Sequence, residues 1–279
     1  MIRVKRVVTR AIVLLLVVLL FASTHTDAVA GQPVFVQSDY YPMTYVGPGG
    51  NTIIEISKER FFKSDCFVAR IVTDNPHLIR ACFAQDDFKK VGPMSVVAEE
   101  HEAVFMVNAD WCTIDFCDNF VIRNGEICRD GQPERAICSY LCIMNSGHLE
   151  FVGLRTSAKN ALDIGVFHSF SFWGDNLFNN GKPSGNENGV APRTFIGEVP
   201  RNDGFLEYII VVADGRSIRS RGLTNYEESI ILFVYGCDIG YNLDGGGSSE
   251  MVFDGKILNV PSDGCERYDH DFIYVKYGD

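Results

Sequence analysis

Short runs of strand-forming residues, separated by turns, constrain the fold of this chain more than any other feature. From Phe67 onward the runs are rich in β-branched and aromatic residues and are bounded by Gly, Asn and Asp. Helical patterns cover only Pro93 to Glu102 and Asn225 to Cys237. These patterns predict an α+β fold, a β-rich domain with a mixed sheet and few helices. The strand-like runs are FVARIV, EAVFMVN, NFVIRNGEIC, YIIVVADG and DFIYVKY.

The N-terminus has the three parts of a secretory signal peptide. Basic residues precede an apolar run from Ala11 to Ala22, and a small-x-small site follows at Ala28-Val29-Ala30. A retained membrane anchor is the alternative, but a spanning helix needs about 20 apolar residues and this run is shorter. We therefore divide the chain into a signal peptide over 1–30, a polar lead-in over 31–60 and one domain over 61–279. The protein is then expected to be secreted, extracellular or in the cell envelope, with no stable membrane span after cleavage.

Net charge and cysteine content narrow the classes of function. The formal net charge of −11 argues against nucleic-acid binding. All nine cysteines follow the predicted signal peptide, and an oxidising compartment favours disulfide bonds among them. The odd number leaves at least one thiol unpaired within the chain, and Cys237 is the candidate because it ends an apolar helical stretch. A zinc site is the alternative, but no CxxC pair occurs.

One segment, Asn242 to Ser249 (NLDGGGSS), carries the most specific chemical pattern. A predicted strand places the carboxylate of Asp244 at its end. Three glycines then allow backbone N–H groups to approach a ligand closely, as in phosphate-binding loops. Two hydroxyl groups follow. The alternative is a bulged turn that leads into a hairpin around Asp254 and Gly255.

Other polar clusters also follow predicted strands. Asp-Gly and Asn-Gly pairs are ordinary turn residues, so each cluster alone fits a turn. Together the clusters would bring several carboxylates and arginines to one cleft, near a polar loop over 174–191 that is long enough to cover a substrate. Arginine suits phosphate oxygens, and paired carboxylates suit glycosidic bond cleavage. The clusters are Asn108-Ala109-Asp110, Pro192-Arg193-Thr194, Asp214-Gly215-Arg216, and Ser262-Asp263-Gly264 with Glu266-Arg267.

The same stretches, taken in order, carry a resemblance to a known family. The chain contains AVFMVNADWC, FVIRNGEICRDG, APRTFIGE, VVADGRS, SRGLTNYEESI, YNLDGGGSSEMVFDGKILNVPSDGCER and DFIYV. Their order and spacing resemble the phosphodiester glycosidase family, many of whose bacterial members are labelled exopolysaccharide proteins. The resemblance implies a hydrolase that converts a sugar-1-phosphodiester, such as one of N-acetylglucosamine, to free sugar and a phosphomonoester. Ala109, Trp111 and Cys112 depart from the usual family residues beside the cleft, which bears on the choice of sugar.

The resemblance also implies the residues of the site. For Glu227 the alternative is a capping role at the start of its helix, and for His168 and His270 a place in the core or on the surface rather than as general bases. No cofactor is certain, and a divalent cation among three of the carboxylates is left open. The implied catalytic residues are Asp244, Asp110, Asp263 and Glu227, and the implied substrate-binding residues are Asn108, Arg193, Thr194, Asp214, Arg216, Gly245, Gly246, Gly247, Ser248, Ser249, Ser262, Glu266 and Arg267.

Two other functions would use the same cleft. A non-catalytic module could hold a phosphorylated envelope glycan with its arginines and would not need Asp110, Asp244, Asp263 and Glu266. An endo-acting enzyme would cut within a phosphodiester-linked polysaccharide and would need an open groove. The retained carboxylates favour the enzyme, and the expected partner is a carbohydrate phosphodiester or polysaccharide.

Overall fold

The structure, a computed structural model, describes residues 34–36, 41–110, 119–131, 139–171 and 176–279. The predicted signal peptide lies outside these ranges, as do Trp111 and the cysteines at positions 112, 117 and 138. The described part is rich in strands and has three α-helices, which confirms the β-rich α+β class. None of these helices is long and apolar enough to cross a bilayer.

The helices and strands are numbered in chain order. The helices are α1 (Met94–Glu100), α2 (Ala158–Asp163) and α3 (Asn225–Tyr235). The first eleven strands are β1 (Val34–Val36), β2 (Met43–Val46), β3 (Ile53–Phe61), β4 (Ser64–Thr73), β5 (Arg80–Phe83), β6 (Gly92–Pro93), β7 (Ala103–Asn108), β8 (Val121–Arg123), β9 (Glu126–Arg129), β10 (Tyr140–Met144) and β11 (Leu149–Val152). The others are β12 (Val166–Phe170), β13 (Phe178–Asn179), β14 (Lys182–Pro183), β15 (Arg193–Glu198), β16 (Leu206–Ala213), β17 (Ile239–Asn242), β18 (Met251–Phe253), β19 (Lys256–Ile257), β20 (Tyr268–Asp269) and β21 (Asp271–Lys276).

Seven strands form the larger sheet, in the order β1-β2-β3-β4-β16-β15-β17. Every described strand pair in the protein is antiparallel, so the expected mixed sheet is not observed. The physical reason is that neighbouring strands such as β3 and β4 follow each other through short turns, whereas parallel pairs need long crossovers. The strands β2 and β3 also correct the lead-in interpretation of residues 31–60. Their side chains Tyr45, Ile54 and Ile56 are fully buried in the core.

The main core lies between this sheet and a five-stranded sheet with the order β19-β18-β7-β21-β5. Phe67 and Ile210 of the larger sheet belong to the same buried cluster as Phe105 and Ile273 of the smaller one. The outer face of each sheet is covered by a helix: α3 on the larger sheet and α1 on the smaller. Strand β16 is therefore buried along its whole length, which accounts for its continuous run of apolar residues.

Helix α3 begins and ends as its sequence predicts. Thr224 and Glu227 form the expected capping box, and Gly236 ends the helix in the left-handed conformation, with φ of 91°. Ile231 is buried, whereas Val234 is 68% exposed and does not belong to the core face. The buried face of the helix is instead centred on Ile231 and Leu232.

The six cysteines within the described ranges are unpaired, so the expected disulfide bonds are not observed there. Cys237 is buried, and burial raises the pKa of its thiol, which agrees with its prediction as a buried free thiol. The other five are Cys66, Cys82, Cys128, Cys142 and Cys265.

Candidate active site

The predicted polar clusters meet at one end of the two packed sheets. Because the strands are antiparallel, β7 and β17 end where β15 and β21 begin. Backbone hydrogen bonds join the segments: Asp244 donates to the Ala109 carbonyl at 2.8 Å, and Leu243 donates to the Thr194 carbonyl at 2.8 Å. Ala109 in turn donates to the Asp271 carbonyl at 2.9 Å. The segment after β17 is thus held between both sheets.

A pocket of about 480 Å³ opens beside this segment. Its volume lies in the range of about 300–1,000 Å³ that is usual for small-molecule sites. Three arginines and two carboxyl groups line it, so the pocket is polar and rich in groups that bind phosphate. The lining residues are Arg193, Arg216, Asp244, Gly245, Gly246, Gly247, Ser248, Arg267, Tyr268, Asp269 and His270. Eight of these were predicted from the sequence as site residues, while Tyr268 and Asp269 were not and His270 was left undecided.

The glycines at 246 and 247 are required by the shape of the pocket. Gly246 has φ of 65°, in the left-handed region that favours glycine. A Cβ at Gly247 would collide with the side chains of Asp263 and Arg267. The short 3₁₀ turn Gly246–Ser248 can therefore lie directly under these side chains. Only a chain without side chains here leaves room for both the ion pair and the pocket.

Asp244 is the carboxyl group at the centre of the segment. It is partly buried and accepts a hydrogen bond from the Gly245 N–H at 2.7 Å. Desolvation by burial raises its pKa to about 6, with the nearby charge of Asp269 acting in the same direction. A carboxyl group with this pKa can give or take a proton near neutral pH, as a general acid or base must.

Arg193 is held toward the pocket by a buried carboxylate. Glu228 on helix α3 is fully buried, and its Oε1 lies 3.1 Å from Nε of Arg193. The Leu223 and Gly189 carbonyls accept hydrogen bonds from Nε and Nη2. Nη1 has no hydrogen-bond partner within the described part of the chain. This leaves one edge of the guanidinium free to bind an anion.

Sequence reasoning missed Glu228, although a signal for it exists. Glu228 lies three and four residues before Ile231 and Leu232, so it shares their buried face of α3. A carboxylate on a buried face needs a cationic partner. Sequence reasoning named the adjacent Glu227 instead, whose carboxylate contacts Arg221 and the Thr224 N–H.

Arg216 and Arg267 share a carboxylate at the rim of the pocket. Asp263 Oδ2 accepts a hydrogen bond from Nη2 of Arg267 at 2.6 Å, and its Oδ1 lies 3.8 Å from Nη1 of Arg216. The Arg267 guanidinium holds the pKa of Asp263 below its usual range, so Asp263 is ionised and orients the arginines. Ser262 Oγ lies 3.5 Å from Arg216 Nη1 in the same cluster. Arg216 also has a positive φ of 56°, an uncommon conformation for a residue other than glycine.

Asn108, Thr194 and Asp110 lie behind the pocket and do not line it. Asn108 donates to the Asp244 carbonyl at 2.7 Å and accepts from the Thr194 hydroxyl at 2.6 Å, so both residues fix the backbone of Asp244. Asp110 is 4% exposed and accepts from the Ser171 N–H at 2.7 Å. Burial raises the pKa of Asp110 to about 6, against the opposing charge of Arg123.

Three other predicted site residues lie outside the pocket lining, and two of them, Asp214 and Glu266, hold backbone groups of a loop and of a helix. Asp214 accepts hydrogen bonds from Val260 N and Asn259 Nδ2 and anchors the following loop. Ser249 is buried outside the pocket lining. Glu266 accepts from Ser95 N and Oγ at 2.8 and 2.7 Å, and so caps α1, whose N-cap residue is a proline without a capping side chain.

Glu227, which was predicted to be catalytic, makes the contacts of its alternative role at the start of α3. Its carboxylate accepts from the Thr224 N–H at 3.0 Å and pairs with Arg221, and it does not line the pocket. The capping box uses one of its two oxygens and the arginine uses the other. Glu227 therefore stabilises the start of α3.

The two histidines that were considered as general bases, His168 and His270, differ in their surroundings. His168 is a core residue: it is fully buried, its Nδ1 accepts from Asn124 N, and burial lowers its pKa to about 3. His270 lines the pocket, and burial lowers its pKa as well, so it is neutral near pH 7. Across the described ranges, no group of three His, Cys, Asp or Glu side chains is placed to hold a metal ion, including Asp110, Asp244 and Asp263.

The polar loop over 174–191 contacts the site from one side. Its described part begins at residue 176 and contains the short hairpin β13–β14. Besides the contact of Gly189 with Arg193, Asn186 accepts a hydrogen bond from Tyr226 N at the start of α3. The loop is thus attached to the helix that carries Glu228.

Comparisons with known proteins identify relatives of this chain in sequence and in fold. The phosphodiester glycosidase family model matches residues 96–276. An uncharacterized SPbeta prophage-derived protein of Bacillus subtilis, YomE, is 30% identical in an alignment of 224 residues that covers 72% of this chain but only 34% of that protein. The catalytic domain of zebrafish N-acetylglucosamine-1-phosphodiester alpha-N-acetylglucosaminidase, solved in a form auto-inhibited by its pro-peptide, has a similar fold, with a TM-score of 0.64, 17% identity and coverage of 81% of this chain and 82% of that one.

A hypothetical protein from Synechocystis has a similar fold too, with a TM-score of 0.61, 14% identity and coverage of 81% of this chain and 62% of that one. At these identities the two solved structures establish the fold alone. The family model covers more than half of the chain and includes the segments that carry Asp244, Arg193 and Arg267. The chain belongs to the phosphodiester glycosidase family.

Proposed function

We propose that this protein hydrolyses a sugar-1-phosphodiester by breaking the bond between the anomeric carbon and the phosphate oxygen. Water supplies the oxygen that bonds to the anomeric carbon, and the phosphomonoester leaves with its bridging oxygen. The observation that carries the proposal is the pocket itself, where Asp244 lies among three arginines. An anion site and a proton-exchanging carboxyl group are the two parts that this reaction needs.

The arginines account for a phosphodiester rather than a neutral glycoside. Arg193 has a free guanidinium edge, and Arg216 and Arg267 share the single carboxylate of Asp263. These three arginines pair with two carboxylates, Glu228 and Asp263, so guanidinium donors remain that the oxygens of a phosphodiester can accept.

Asp244 supplies proton exchange at the reacting bond in this account. Its raised pKa, about 6, allows it to be protonated or ionised near neutral pH. Asn108 and the Ala109 carbonyl hold the backbone of Asp244 from behind, and the Gly245 N–H donates to one of its carboxyl oxygens. An N-acetylglucosamine-type sugar is the first substrate to test, because the zebrafish relative is named for that activity.

The test is a panel of sugar-1-phosphodiesters incubated with the purified protein, with free sugar and phosphomonoester measured separately. We expect both products in equal amounts from at least one diester, and far slower cleavage of a neutral aryl glycoside of the same sugar. Tight binding without product would favour the non-catalytic module. Products of intermediate length from a phosphodiester-linked polysaccharide would favour endo-acting cleavage.

We further propose that the protein is exported, on the basis of its basic, apolar and small-residue N-terminal pattern. Expression of the full chain, followed by mass analysis of the protein outside the cytoplasm, should give a chain that begins at Gly31. A chain that stays in the cytoplasm with residues 1–30 attached would contradict this proposal.

A further inference from the structure

The floor of the pocket has two ends that differ in chemistry. Residues 245–248 line this floor. At the first end, a Cβ at Gly245 would lie 3.7 Å from Cδ of Arg193. A Cβ at the next residue, Gly246, would lie 3.1 Å from Nη2 of Arg216. The first end is therefore cationic and suits the phosphate group of the proposed substrate.

The other end of the floor carries a carboxylate with a free oxygen. Ser248 donates to Oδ1 of Asp269 at 3.0 Å and accepts from Nη1 of Arg267 at 3.3 Å. Asp269 lines the pocket, and its Oδ2 has no hydrogen-bond partner within the described ranges. A carboxylate oxygen accepts hydrogen bonds and repels other anions. This end therefore favours a hydroxyl group of a ligand over its phosphate.

An exposed tyrosine lies next to this carboxylate in the chain. Tyr268 lines the pocket and is 65% exposed. Its hydroxyl has no hydrogen-bond partner, and its ring no aromatic contact, in the part of the chain that the structure describes. Single exposed aromatic side chains are ordinary on protein surfaces, so exposure alone carries no function. Tyr268 differs from such residues because it lines a pocket and has a fixed backbone.

The backbone of Tyr268 is held from several sides. Strand β20 pairs with β6, where Tyr268 lies opposite Pro93. The side chains before and after it are anchored, Arg267 by its ion pair at the pocket rim and Asp269 by Ser248. Binding a ligand then costs a tyrosine little conformational entropy, because only two side-chain torsions must be fixed. Tyr268 thus presents a flat, partly apolar ring at the pocket.

We propose that Tyr268 and Asp269 form a subsite for a neutral sugar ring beside the anion site. The sugar stacks a face of C–H bonds on the ring of Tyr268, and one of its hydroxyl groups donates to Oδ2 of Asp269. A pyranose with equatorial hydroxyl groups presents C–H bonds on both faces and fits best, whereas Asp269 repels a sugar that carries a carboxylate. The use of this subsite in hydrolysis rests on the proposed function, but its preference among ligands does not.

The test is the affinity of the purified protein for three probes, measured by titration calorimetry. The probes are α-glucose 1-phosphate, α-glucuronic acid 1-phosphate and inorganic phosphate. The two sugar phosphates differ only at C6, where the second carries a carboxylate. We expect glucose 1-phosphate to bind about tenfold more tightly than either of the other probes, because it alone gains the sugar contacts without the repulsion.

Variants of Tyr268 test the stacking contact. Tyr268→Ala should weaken the binding of glucose 1-phosphate about tenfold and change that of inorganic phosphate by less than about twofold. Tyr268→Phe keeps the ring and should bind both probes as the wild type does. Phe233→Ala, at an exposed aromatic residue of α3 outside the pocket lining, is the matched control and should change neither affinity.

A variant of Asp269 tests the charge selectivity. Asp269→Asn keeps the shape and removes the charge, so the affinity for glucuronic acid 1-phosphate should rise to within about threefold of that for glucose 1-phosphate. An unchanged preference between the two sugar phosphates in this variant would show that Asp269 does not select the sugar, and would overturn its part in the subsite.

The outcomes separate this inference from the proposed function. A preference for glucose 1-phosphate that depends on Tyr268, in a protein that cleaves no diester, would support the subsite and contradict hydrolysis. Cleavage of a confirmed diester with the same kcat/KM in the wild type and in Tyr268→Ala would leave hydrolysis standing and overturn the subsite. Wild-type binding of glucose 1-phosphate no tighter than that of inorganic phosphate would overturn it as well.

Discussion

Two clusters of arginine and aspartate differ in kind, although Asp271 of the first and Arg267 of the second are only four residues apart in the sequence. In the buried cluster, Arg123 is 2% exposed and both oxygens of Asp271 accept hydrogen bonds from its guanidinium. Its Nη1 donates to the carbonyls of Ile122 and Ser169. In the pocket, Arg216 and Arg267 are 51% and 42% exposed and share Asp263. The first cluster is saturated with hydrogen bonds, and the second is not.

This difference distinguishes charged residues that hold the fold together from charged residues that can bind a ligand. A saturated buried pair has no capacity left for a ligand, so it can only join elements, here β8 to β21. Partly paired arginines at a pocket keep donors that a phosphate can accept. Both clusters look alike in the sequence, as charged residues at strand ends, and only the geometry tells them apart.

The largest expected effect is on stability and comes from breaking the buried cluster. Arg123→Met leaves the Asp271 carboxylate buried without its guanidinium partner, which should lower the free energy of unfolding by about 3–5 kcal/mol. Denaturant unfolding measures this loss. Arg219→Met, at an exposed arginine, is the matched control and should change it by less than about 0.5 kcal/mol. Equal losses for both variants would mean that the buried pair has no special role.

In the pocket, Asp244→Asn should reduce activity rather than stability. The variant keeps the shape and the acceptor for the Gly245 N–H but cannot exchange a proton. We expect kcat on a confirmed diester to fall about 10²-fold or more. Asp238→Asn, at an exposed carboxylate outside the pocket lining, serves as the control and should leave kcat unchanged. Normal turnover by a folded Asp244→Asn protein would remove the residue from the mechanism.

Arg193→Lys should have a smaller effect, confined to phosphate recognition. Lysine keeps the charge but cannot reproduce the planar guanidinium that pairs with Glu228 on one side and faces the pocket on the other. We expect kcat/KM for the diester to fall about tenfold, corresponding to one lost charged hydrogen bond. Cleavage of a neutral glycoside, where measurable, should change little. If both substrates lose the same factor, Arg193 does not recognise the phosphate.

Glu227→Gln should have the smallest effect of all. Glutamine also completes a capping box, so only the partly exposed ion pair with Arg221 is lost. We expect kcat/KM within about twofold of the wild type and a loss of stability of less than about 1 kcal/mol. A loss of activity comparable to that of Asp244→Asn would restore Glu227 as a catalytic candidate.

The parts of the fold that the sequence predicts are those set by local chemistry. The capping role of Glu227 at the start of α3 and the hairpin at Asp254-Gly255 were both named from the sequence and are observed. Each depends on residues only a few positions apart. The strands β2 and β3 were missed because their many polar side chains on the outer face hid the alternation of buried residues.

The sequence predicted which segments meet at the candidate site, but it did not predict which of their residues line the pocket and which support it. Asp214, Glu227 and Glu266 were placed in it because they accompany the family's motifs, but each binds backbone N–H groups of a turn or a helix start. Asp269 has no local signal at all, because its partner Ser248 is 21 residues away. This contact depends on how β20 and the 3₁₀ turn pack together, and that packing cannot be predicted from the local sequence of either segment.

Hydrolysis of a confirmed diester in ¹⁸O-labelled water tests the central claim most directly. If Asp244 and the arginines act at the glycosidic bond, water attacks the anomeric carbon, and mass spectrometry should find the label on the anomeric hydroxyl of the sugar. The phosphomonoester should then be unlabelled. Label in the phosphate would show attack on phosphorus, and would contradict the glycosidase mechanism and the role given to Asp244, even though the chain belongs to this family.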